Sequence, residues 1–424
     1  MTDSTIVLLI IAAVLILYAT EALPLIVTSI LAVAALIFTG MLTPNQAFAG
    51  FSNVATLLAA AAMALGASLA ETGATEMLSQ KISVMTGLNK RGFYTMLCAL
   101  SAILSACLSS LGIIVIMMTV VDSVIVKSDH KFSRKEAYMP IAVGASIGGA
   151  ISLSGSSSVL TACAAYNQYI GYDAIGYFTP AVLAIPACIG GILFYATIGT
   201  KLSERWFDFE ETPITVKASA DSVKEEGKTR RDMYISMIVF VLCACCWAFT
   251  KINLALTGML GVCVLTVLKV IKIDEILRKI NWSTLIILAC TLALATSVHE
   301  SGADTVIVDF ILLHCGYLGE VPLGMFAVVL LLTIVLTNIM SNTATAAIVT
   351  PIAIMLAERV GGNAMLWSIA IGVGANCAVI TPIGCANMTI LLPVGYRFKD
   401  FVKVGGCICL ISMALITVTY IVIA

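Results

Sequence analysis

A cluster of hydroxyl and amide side chains interrupts one of the most apolar parts of the sequence. Residues 337–345 read Thr-Asn-Ile-Met-Ser-Asn-Thr-Ala-Thr, and apolar stretches flank them on both sides. Six hydrogen-bonding side chains in nine residues are costly in an apolar environment unless partners satisfy them. Hydroxyl and carbonyl oxygens suit a hard cation, and the N–H groups at a helix start suit an anion. We therefore expect a site for small ions or a small solute here.

Three further polar breaks accompany this cluster. They lie at residues 105–112, 148–158 and 376–387, and each places small or polar residues inside an apolar stretch. Gly and Pro within a helical pattern predict that the helix unwinds. Ser, Thr and Gly also occur at ordinary contacts between membrane helices, so a single break is compatible with packing alone. Four breaks, two in each half of the chain, favour a central solute site.

Membrane helices must position these breaks. Hydrophobic residues make up 60% of the chain and charged residues 11%, whereas soluble domains have about 25% charged residues. The net charge of −1 gives no basis for nucleic-acid binding. Apolar stretches recur at the length of about 20 residues that crosses a bilayer. The predicted segments are 5–20, 24–40, 54–72, 92–126, 138–165, 176–200, 233–250, 253–271, 283–298, 321–358, 366–390 and 404–423.

The two halves of the chain look like copies of each other. Residues 68–74 resemble residues 297–303, and the polar breaks recur at a nearly constant offset. The matched pairs are Glu71 and Glu300 (300 − 71 = 229), Ser109 and Ser341 (341 − 109 = 232), and Gly155 and Gly384 (384 − 155 = 229). We predict a first repeat at 1–200, a linker at 201–232 and a second repeat at 233–424.

The basic residues predict the orientation of these repeats. Suppose that the N-terminus lies outside and that the stretches 92–126 and 321–358 are re-entrant hairpins. Each half then crosses the membrane five times, and the second half is inverted. The segments on the cytoplasmic side, including the 201–232 linker, then hold 21 of the 23 Lys and Arg residues, as the positive-inside rule requires. We predict an all-α, multi-pass protein of the cell (inner) membrane with both termini outside.

Inverted repeats with broken segments are typical of secondary transporters, whose site lies at the repeat interface. The chain resembles the divalent anion:sodium symporter family, within the wider ion transporter superfamily. The resemblance covers most of the length and rests on five segments. These are residues 20–25 (Thr-Glu-Ala-Leu-Pro-Leu), 42–44 (Leu-Thr-Pro), 47–53 (Ala-Phe-Ala-Gly-Phe-Ser-Asn), 341–343 (Ser-Asn-Thr) and 396–405 (Tyr-Arg-Phe-Lys-Asp-Phe-Val-Lys-Val-Gly).

The resemblance implies a homodimer in which a transport domain moves like an elevator against a scaffold. It also implies hairpin tips that bind sodium and a small anionic solute. The first sodium site would comprise Ser105, Ser109, Ser110 and Gly155, and the second Thr337, Met340 (through its carbonyl), Asn342 and Gly384. The substrate contacts would be Ser109, Ser110, Ser341, Asn342 and Thr343, together with Ser156 and Pro382.

The first hairpin departs from the family pattern. Ser110 and Leu111 stand where the family has Asn and Thr. A monocarboxylate, a dicarboxylate or an inorganic oxyanion therefore remains open as substrate. Sodium coupling, proton coupling and uncoupled exchange remain open as well.

Two other classes fit less well. An intramembrane enzyme needs a catalytic pair, and no Asp–Asp, Ser–His or HExxH arrangement is evident,. Discontinuous inverted repeats fit a transporter that works by alternating access better than they fit a channel. Among the charged residues, Glu71 and Glu300 end helices and are expected to be structural, and Asp122 is expected to face solvent.

Overall fold

The computed structural model describes residues 2–20, 22–73, 89–127, 132–172, 174–209, 230–250, 252–315, 321–377, 379–382 and 385–424. The regular structure within these stretches is helical. The helices of the first half are α1 (Asp3–Thr20), α2 (Leu25–Phe38), α3 (Pro44–Phe48), α4 (Val54–Glu71), α5 (Lys90–Ser105), α6 (Ser110–Lys127), α7 (Arg134–Gly149), α8 (Ser157–Ile170), α9 (Ala181–Phe194) and α10 (Thr200–Trp206).

The helices of the second half follow a similar order. They are α11 (Arg230–Phe249), α12 (Leu254–Val267), α13 (Ile273–Lys279), α14 (Trp282–Glu300), α15 (Ala303–Cys315), α16 (Pro322–Thr337), α17 (Asn342–Val360), α18 (Ala364–Asn376), α19 (Ala386–Thr389) and α20 (Phe398–Ile423). Helix starts recur at the offsets seen in the sequence, as for α2 and α12 (254 − 25 = 229) and for α6 and α17 (342 − 110 = 232).

Side-chain caps fix where many of these helices begin. Asn89 accepts a hydrogen bond from the Gly92 N–H at 2.8 Å at the start of α5. Asn253, Asn281 and Asn363 cap α12, α14 and α18 in the same way. Such caps satisfy N–H groups that have no partner within the helix. This matters in a membrane protein, because an unsatisfied backbone group is costly in lipid.

Both predicted hairpins are interrupted where the polar residues lie. The first hairpin consists of α5 and α6, and the second of α16 and α17; in each, four residues separate the arms. The two arms of each hairpin pack against each other. The first break separates α7 from α8, and the second break separates α18 from α19. The prediction that four polar segments interrupt helices is therefore confirmed.

Two glycines bring the first hairpin unusually close to α7. A β-carbon added to Gly144 would lie 2.2 Å from the Cys98 carbonyl oxygen, and one added to Gly148 would lie 2.3 Å from the Ala102 Cα. Small residues spaced by four allow helix backbones to approach in this way. The arm α5 therefore lies backbone against backbone on α7, which fixes the first tip relative to the first break.

The structure corrects several predicted boundaries. The segments 138–165 and 366–390 are each divided, because the breaks end α7 and α18 early. Helix α10 runs to Trp206, inside the predicted linker, of which residues 210–229 lie outside the described residues. Helix α15 was not predicted at all. Its Asp and His residues reduce the hydrophobicity that identifies a membrane segment.

One charged residue differs from its prediction. Asp122 does not simply face solvent: it accepts hydrogen bonds from Arg134 at 2.6 and 2.7 Å and another from the Tyr138 hydroxyl. Arg134 lies 12 residues away on the next helix, so the pair forms only when α6 and α7 are antiparallel neighbours. The contact joins the base of the first hairpin to α7.

Glu71 and Glu300 join helix ends, which agrees with a structural role. Glu71, at the end of α4, pairs with Lys279 on α13 at 2.8 Å. Glu300, at the end of α14, accepts a hydrogen bond from Gln46 on α3 at 2.9 Å. Each glutamate therefore contacts the other half of the chain. Glu71 contacts α13, which precedes α14, and Glu300 contacts α3, which precedes α4.

Six helical stretches within the described residues are long and apolar enough to cross a membrane. They are Pro44–Leu69, Ala181–Trp206, Arg230–Phe249, Trp282–Glu300, Asn342–Val360 and Phe398–Ile423. Shorter apolar helices include α1 and α2, which precede these stretches, and α12 and α18, which lie between them. The chain is thus a multi-pass, all-α membrane protein.

Candidate functional site

Buried hydroxyl groups at the first hairpin tip form hydrogen bonds with each other, with α7 and with the first break. The Ser105 and Ser110 hydroxyls are hydrogen-bonded at 2.7 Å. Ser105 Oγ also donates to the Ala145 carbonyl on α7 at 2.7 Å, and Ser110 Oγ donates to the Gly155 carbonyl in the first break at 3.2 Å. The structure therefore brings together three of the four residues predicted for the first cation site.

Gly149 packs tightly against these oxygen atoms. A β-carbon added there would lie 2.4 Å from Ser110 Oγ, 2.9 Å from the Gly155 carbonyl oxygen and 3.2 Å from Ser105 Oγ. Three oxygens therefore converge beside Gly149, and a side chain at position 149 would force them apart. Hydroxyl and carbonyl oxygens are the ligands that hard cations take in proteins, so the residues present fit a small cation.

The second tip repeats this arrangement with different side chains. Thr337 Oγ1 donates to Asn342 Oδ1 and to the Ala375 carbonyl, both at 2.9 Å. Asn342 Nδ2 contacts Cys385 Sγ at 3.9 Å. Met340 is 3% exposed, and Gly384 lies outside the described residues. Thr337, Asn342 and Met340 therefore lie together around the second tip.

The two tips share one hydrogen-bonding scheme. Ser105 donates to Ala145, and Thr337 donates to Ala375. The donors differ by 337 − 105 = 232 positions and the acceptors by 375 − 145 = 230. The sequence offset that pairs Ser109 with Ser341 therefore also pairs contacts in three dimensions.

The breaks are joined to the tips by a second matching pair of contacts. Ser152 Oγ donates to the Ala106 carbonyl at 2.6 Å, and Thr381 Oγ1 donates to the Asn338 carbonyl at 2.7 Å. In addition, the Thr381 N–H donates to Asn338 Oδ1 at 3.2 Å. The sequence analysis assigned no role to these residues, although the common offset would have identified the pairs.

The predicted substrate residues differ in accessibility. Ser109 is exposed, whereas Ser341, Asn342 and Thr343 are half-buried. Ser341 caps α17 by accepting a hydrogen bond from the Ala344 N–H at 3.3 Å. Ser110, whose hydroxyl is turned toward Ser105 and Gly155, is only 7% exposed.

The first break lies between the two tips. Ser157 Oγ is hydrogen-bonded to Thr343 Oγ1 of the second tip at 2.7 Å, while Gly155 accepts from Ser110 of the first tip. Ser156 is buried against the Ser158 hydroxyl at 2.9 Å. A segment of three residues therefore contacts both hairpins, and Ser157 is a site residue that the sequence analysis missed.

Pro382 lies in the second break. It is buried, and its carbonyl accepts a hydrogen bond from the Thr389 hydroxyl. This contact orients the start of α19 and does not by itself direct Pro382 to a solute.

Three helices of at least 14 residues begin at the tips and the first break: α6 at Ser110, α8 at Ser157 and α17 at Asn342. Their first N–H groups lack partners within the helix, and the helix dipole favours negative charge there. None of the four polar segments 105–112, 148–158, 337–345 and 376–387 contains Lys, Arg or His. An anion at this place would be held by neutral donors. Within these four segments, a full positive charge could come only from a bound cation.

Sequence comparison identifies a family and several relatives, all of them transporters. The citrate transporter family matches this chain over residues 15–372 and 245–424. An uncharacterised transporter of Haemophilus influenzae is 24% identical over 96% of this chain and 89% of its own length. The sodium-dependent dicarboxylate transporter SdcS of Staphylococcus saprophyticus is 23% identical over 94% of this chain and 82% of its own.

Solved transporter structures share the fold. The YdaH transporter of Alcanivorax borkumensis has a TM-score of 0.64 at 12% identity, over 89% of this chain and 87% of that chain. MtrF of Neisseria gonorrhoeae has a TM-score of 0.62 at 13% identity, over 99% of this chain and 95% of that chain. The chain is a transporter and not an enzyme, as the sequence analysis predicted. By the extent of its match, it belongs to the citrate transporter family.

Proposed function

We propose that this protein is a sodium-coupled secondary active transporter of a small anion, working by alternating access. The observation that carries the proposal is the first break, which contacts both hairpin tips through Gly155 and Ser157. A solute bound there would touch helix N-termini from both halves. A carboxylate, a dicarboxylate or an inorganic oxyanion suits such neutral N–H and hydroxyl donors.

Sodium would bind beside each hairpin tip. Ser105, Ser110 and Gly155 would supply oxygens that converge beside Gly149. Thr337, the Asn342 side chain and the Met340 carbonyl would supply them at the second tip, with Gly384. Bound cations would offset the charge of the anion, which explains how a site without basic residues holds it. The sodium-dependent relative from Staphylococcus saprophyticus supports this assignment.

The proposed architecture is two inverted repeats, 1–200 and 233–424, joined by a cytoplasmic 201–232 linker. The recurring helix bounds, the matched tip contacts and the exchanged Glu71 and Glu300 contacts support it. The distribution of Lys and Arg supports termini that lie outside. We extend the proposal to a homodimer with an elevator-type movement, on the family resemblance.

Uptake into proteoliposomes tests the proposal. Purified protein would be reconstituted and offered labelled citrate, succinate, a monocarboxylate and sulfate, with an inward sodium gradient or a matched potassium gradient. We expect saturable uptake of at least one anion that requires sodium. Uptake of no anion in the panel, or flux that rises linearly with concentration, would contradict the proposal.

A second candidate is a proton-coupled or uncoupled exchanger on the same scaffold. It is favoured by Ser110 and Leu111, which replace an amide and a hydroxyl at the first tip. The same vesicles distinguish the two: uptake that follows an imposed pH gradient without sodium indicates proton coupling. Uptake that needs only an internal anion indicates exchange.

A further inference from the structure

The two tips are connected through the ends of α7 and α18. Ser105 donates to the Ala145 carbonyl on α7, and Thr337 donates to the Ala375 carbonyl on α18. The acceptors are equivalent positions in the two halves. Each tip therefore rests on one backbone carbonyl near the end of the helix that precedes a break.

The residues after these acceptors contact each other across the halves. Asn376, which follows Ala375, donates from Nδ2 to the carbonyl of Ser146, which follows Ala145, at 2.5 Å. Asn376 is 5% exposed and Ser146 is fully buried. The path from Ser105 to Thr337 therefore contains three hydrogen bonds. Ser105 bonds to Ala145, the neighbouring Ser146 bonds to Asn376, and Ala375 beside Asn376 bonds to Thr337.

A second contact anchors Ser146. Asn387 Nδ2, at the start of α19, donates to Ser146 Oγ at 3.0 Å. The two asparagines use different acceptors on one residue: Asn376 uses the carbonyl and Asn387 the hydroxyl. This difference allows the two contacts to be removed separately.

The link is short, buried and stiff. Peptide planarity leaves only two soft dihedrals per residue, so a shift of the Ala145 carbonyl is passed to the Ser146 carbonyl within one residue. A buried amide left without its acceptor costs much more than an exposed one. A cation that orders Ser105 thereby favours one position of Asn376 and hence of Ala375, the acceptor of Thr337.

We propose that Asn376 couples the two candidate cation sites, so that occupation of either site raises the cation affinity of the other. This inference rests on the proposed sodium sites. Asn376 acts as a positioning residue, because it contacts neither tip directly in the contacts described above. Coupling between sites commonly changes affinity by about 5- to 150-fold, and we expect an effect in this range.

Equilibrium binding of radioactive sodium to the purified full-length protein tests the coupling. For two sites, coupling of about 5- to 150-fold gives a Hill coefficient of about 1.4 to 1.8, so we expect a value in this range for the wild type and about 1 for Asn376→Ser, with weaker half-saturation. Asn363→Ser is the matched control. It lies at the other end of α18, caps the helix through the Leu366 N–H, and serine caps as well as asparagine.

Ser146→Ala sharpens the test. It removes the hydroxyl that accepts from Asn387 but retains the carbonyl that accepts from Asn376, so cooperativity should persist. If Asn376→Ser is not monodisperse, Asn376→Leu has a similar volume, also lacks the donor, and should likewise lose cooperativity. A wild-type Hill coefficient in a well-folded Asn376 variant would overturn the inference, as would non-cooperative binding of two ions by the wild type.

The same measurement separates this inference from the proposed function. If the wild type binds no sodium, both are overturned. If it binds two ions cooperatively and Asn376→Ser does too, the inference alone is wrong.

Discussion

The two hairpins share a framework but differ in the side chain that faces each candidate cation. Both tips begin from a hydroxyl, Ser105 or Thr337, that donates to an equivalent backbone carbonyl. At the first tip the partner is Ser110, whose single hydroxyl both donates and accepts, whereas at the second it is Asn342, whose amide has a separate carbonyl acceptor and N–H donor. The framework is thus common to both halves, and the chemistry of each tip depends on a single side chain.

The bases of the hairpins differ more strongly than the tips. At the first base, the Asp122–Arg134 pair and a hydrogen bond from Tyr94 to buried Glu136, 2.8 Å long, join both arms to α7. At the second base, the Tyr169 hydroxyl donates to exposed Glu358 at 2.7 Å, and Arg359 lies 3.7 Å from Asp309, both about two-thirds exposed. Among the described residues, the polar contacts at the first hairpin base are therefore more buried than those at the second.

The largest expected effect comes from the amide at the second tip. Asn342→Ala removes a predicted ligand of both the cation and the solute, and it should reduce uptake into proteoliposomes to background. The side chain is only half-buried, so the melting temperature should change little. Uptake at the wild-type rate would exclude Asn342 from the site.

Gly149→Ala tests whether the first tip still holds a cation despite its serine. The added methyl group would overlap Ser110 Oγ and the Gly155 carbonyl oxygen and would push these candidate ligands apart. Loss of supporting contacts at metal sites costs about 10- to 100-fold in affinity, and we expect a loss of this size in sodium binding.

Gly406→Ala is the control for this change, since a β-carbon there meets no atom within 4 Å. Unchanged sodium binding by Gly149→Ala would show that the first tip holds no ion and that the two tips differ in function.

A smaller effect compares the two hairpin bases. Asp122→Ala removes the carboxylate that accepts two hydrogen bonds from Arg134, which is only 11% exposed, and it should destabilise the protein by about 1–3 kcal/mol. Asp309→Ala breaks an exposed pair and should cost about 0–1 kcal/mol. Melting temperatures in detergent measure the difference. Equal shifts would contradict the contrast between the bases.

The sequence predicted the places where helices break but not the atoms that hold them. Polar residues in an apolar stretch are visible because their burial is costly, and the common offset relates the halves. Backbone acceptors such as the carbonyls of Ala145 and Ala375 have no sequence signal, since every residue carries one. The contact between Asn376 and Ser146 also needed the fold, because 230 positions separate the two residues.

The candidate substrate contacts could be predicted only in part. Ser109, Ser341, Asn342 and Thr343 were predicted from the tips, whereas Ser157 contacts Thr343 only because the first break reaches the second tip. That contact depends on how the halves pack together. Neither the spacing of hydroxyl groups nor the hydrophobic pattern contains this information.

The backbone contact of Gly144 and Gly148 with α5 has a consequence for movement. At Gly144 and Gly148 no side chain separates the two helices, so sliding α5 along α7 would drive neighbouring side chains into the facing backbone, and we expect the two helices to move together. Any displacement of the first tip across the bilayer would then carry α7 and Ala145 with it. Ser105 would keep its position beside Ala145 and Gly149 during such a movement, so the release of an ion bound there would depend on its exposure to water.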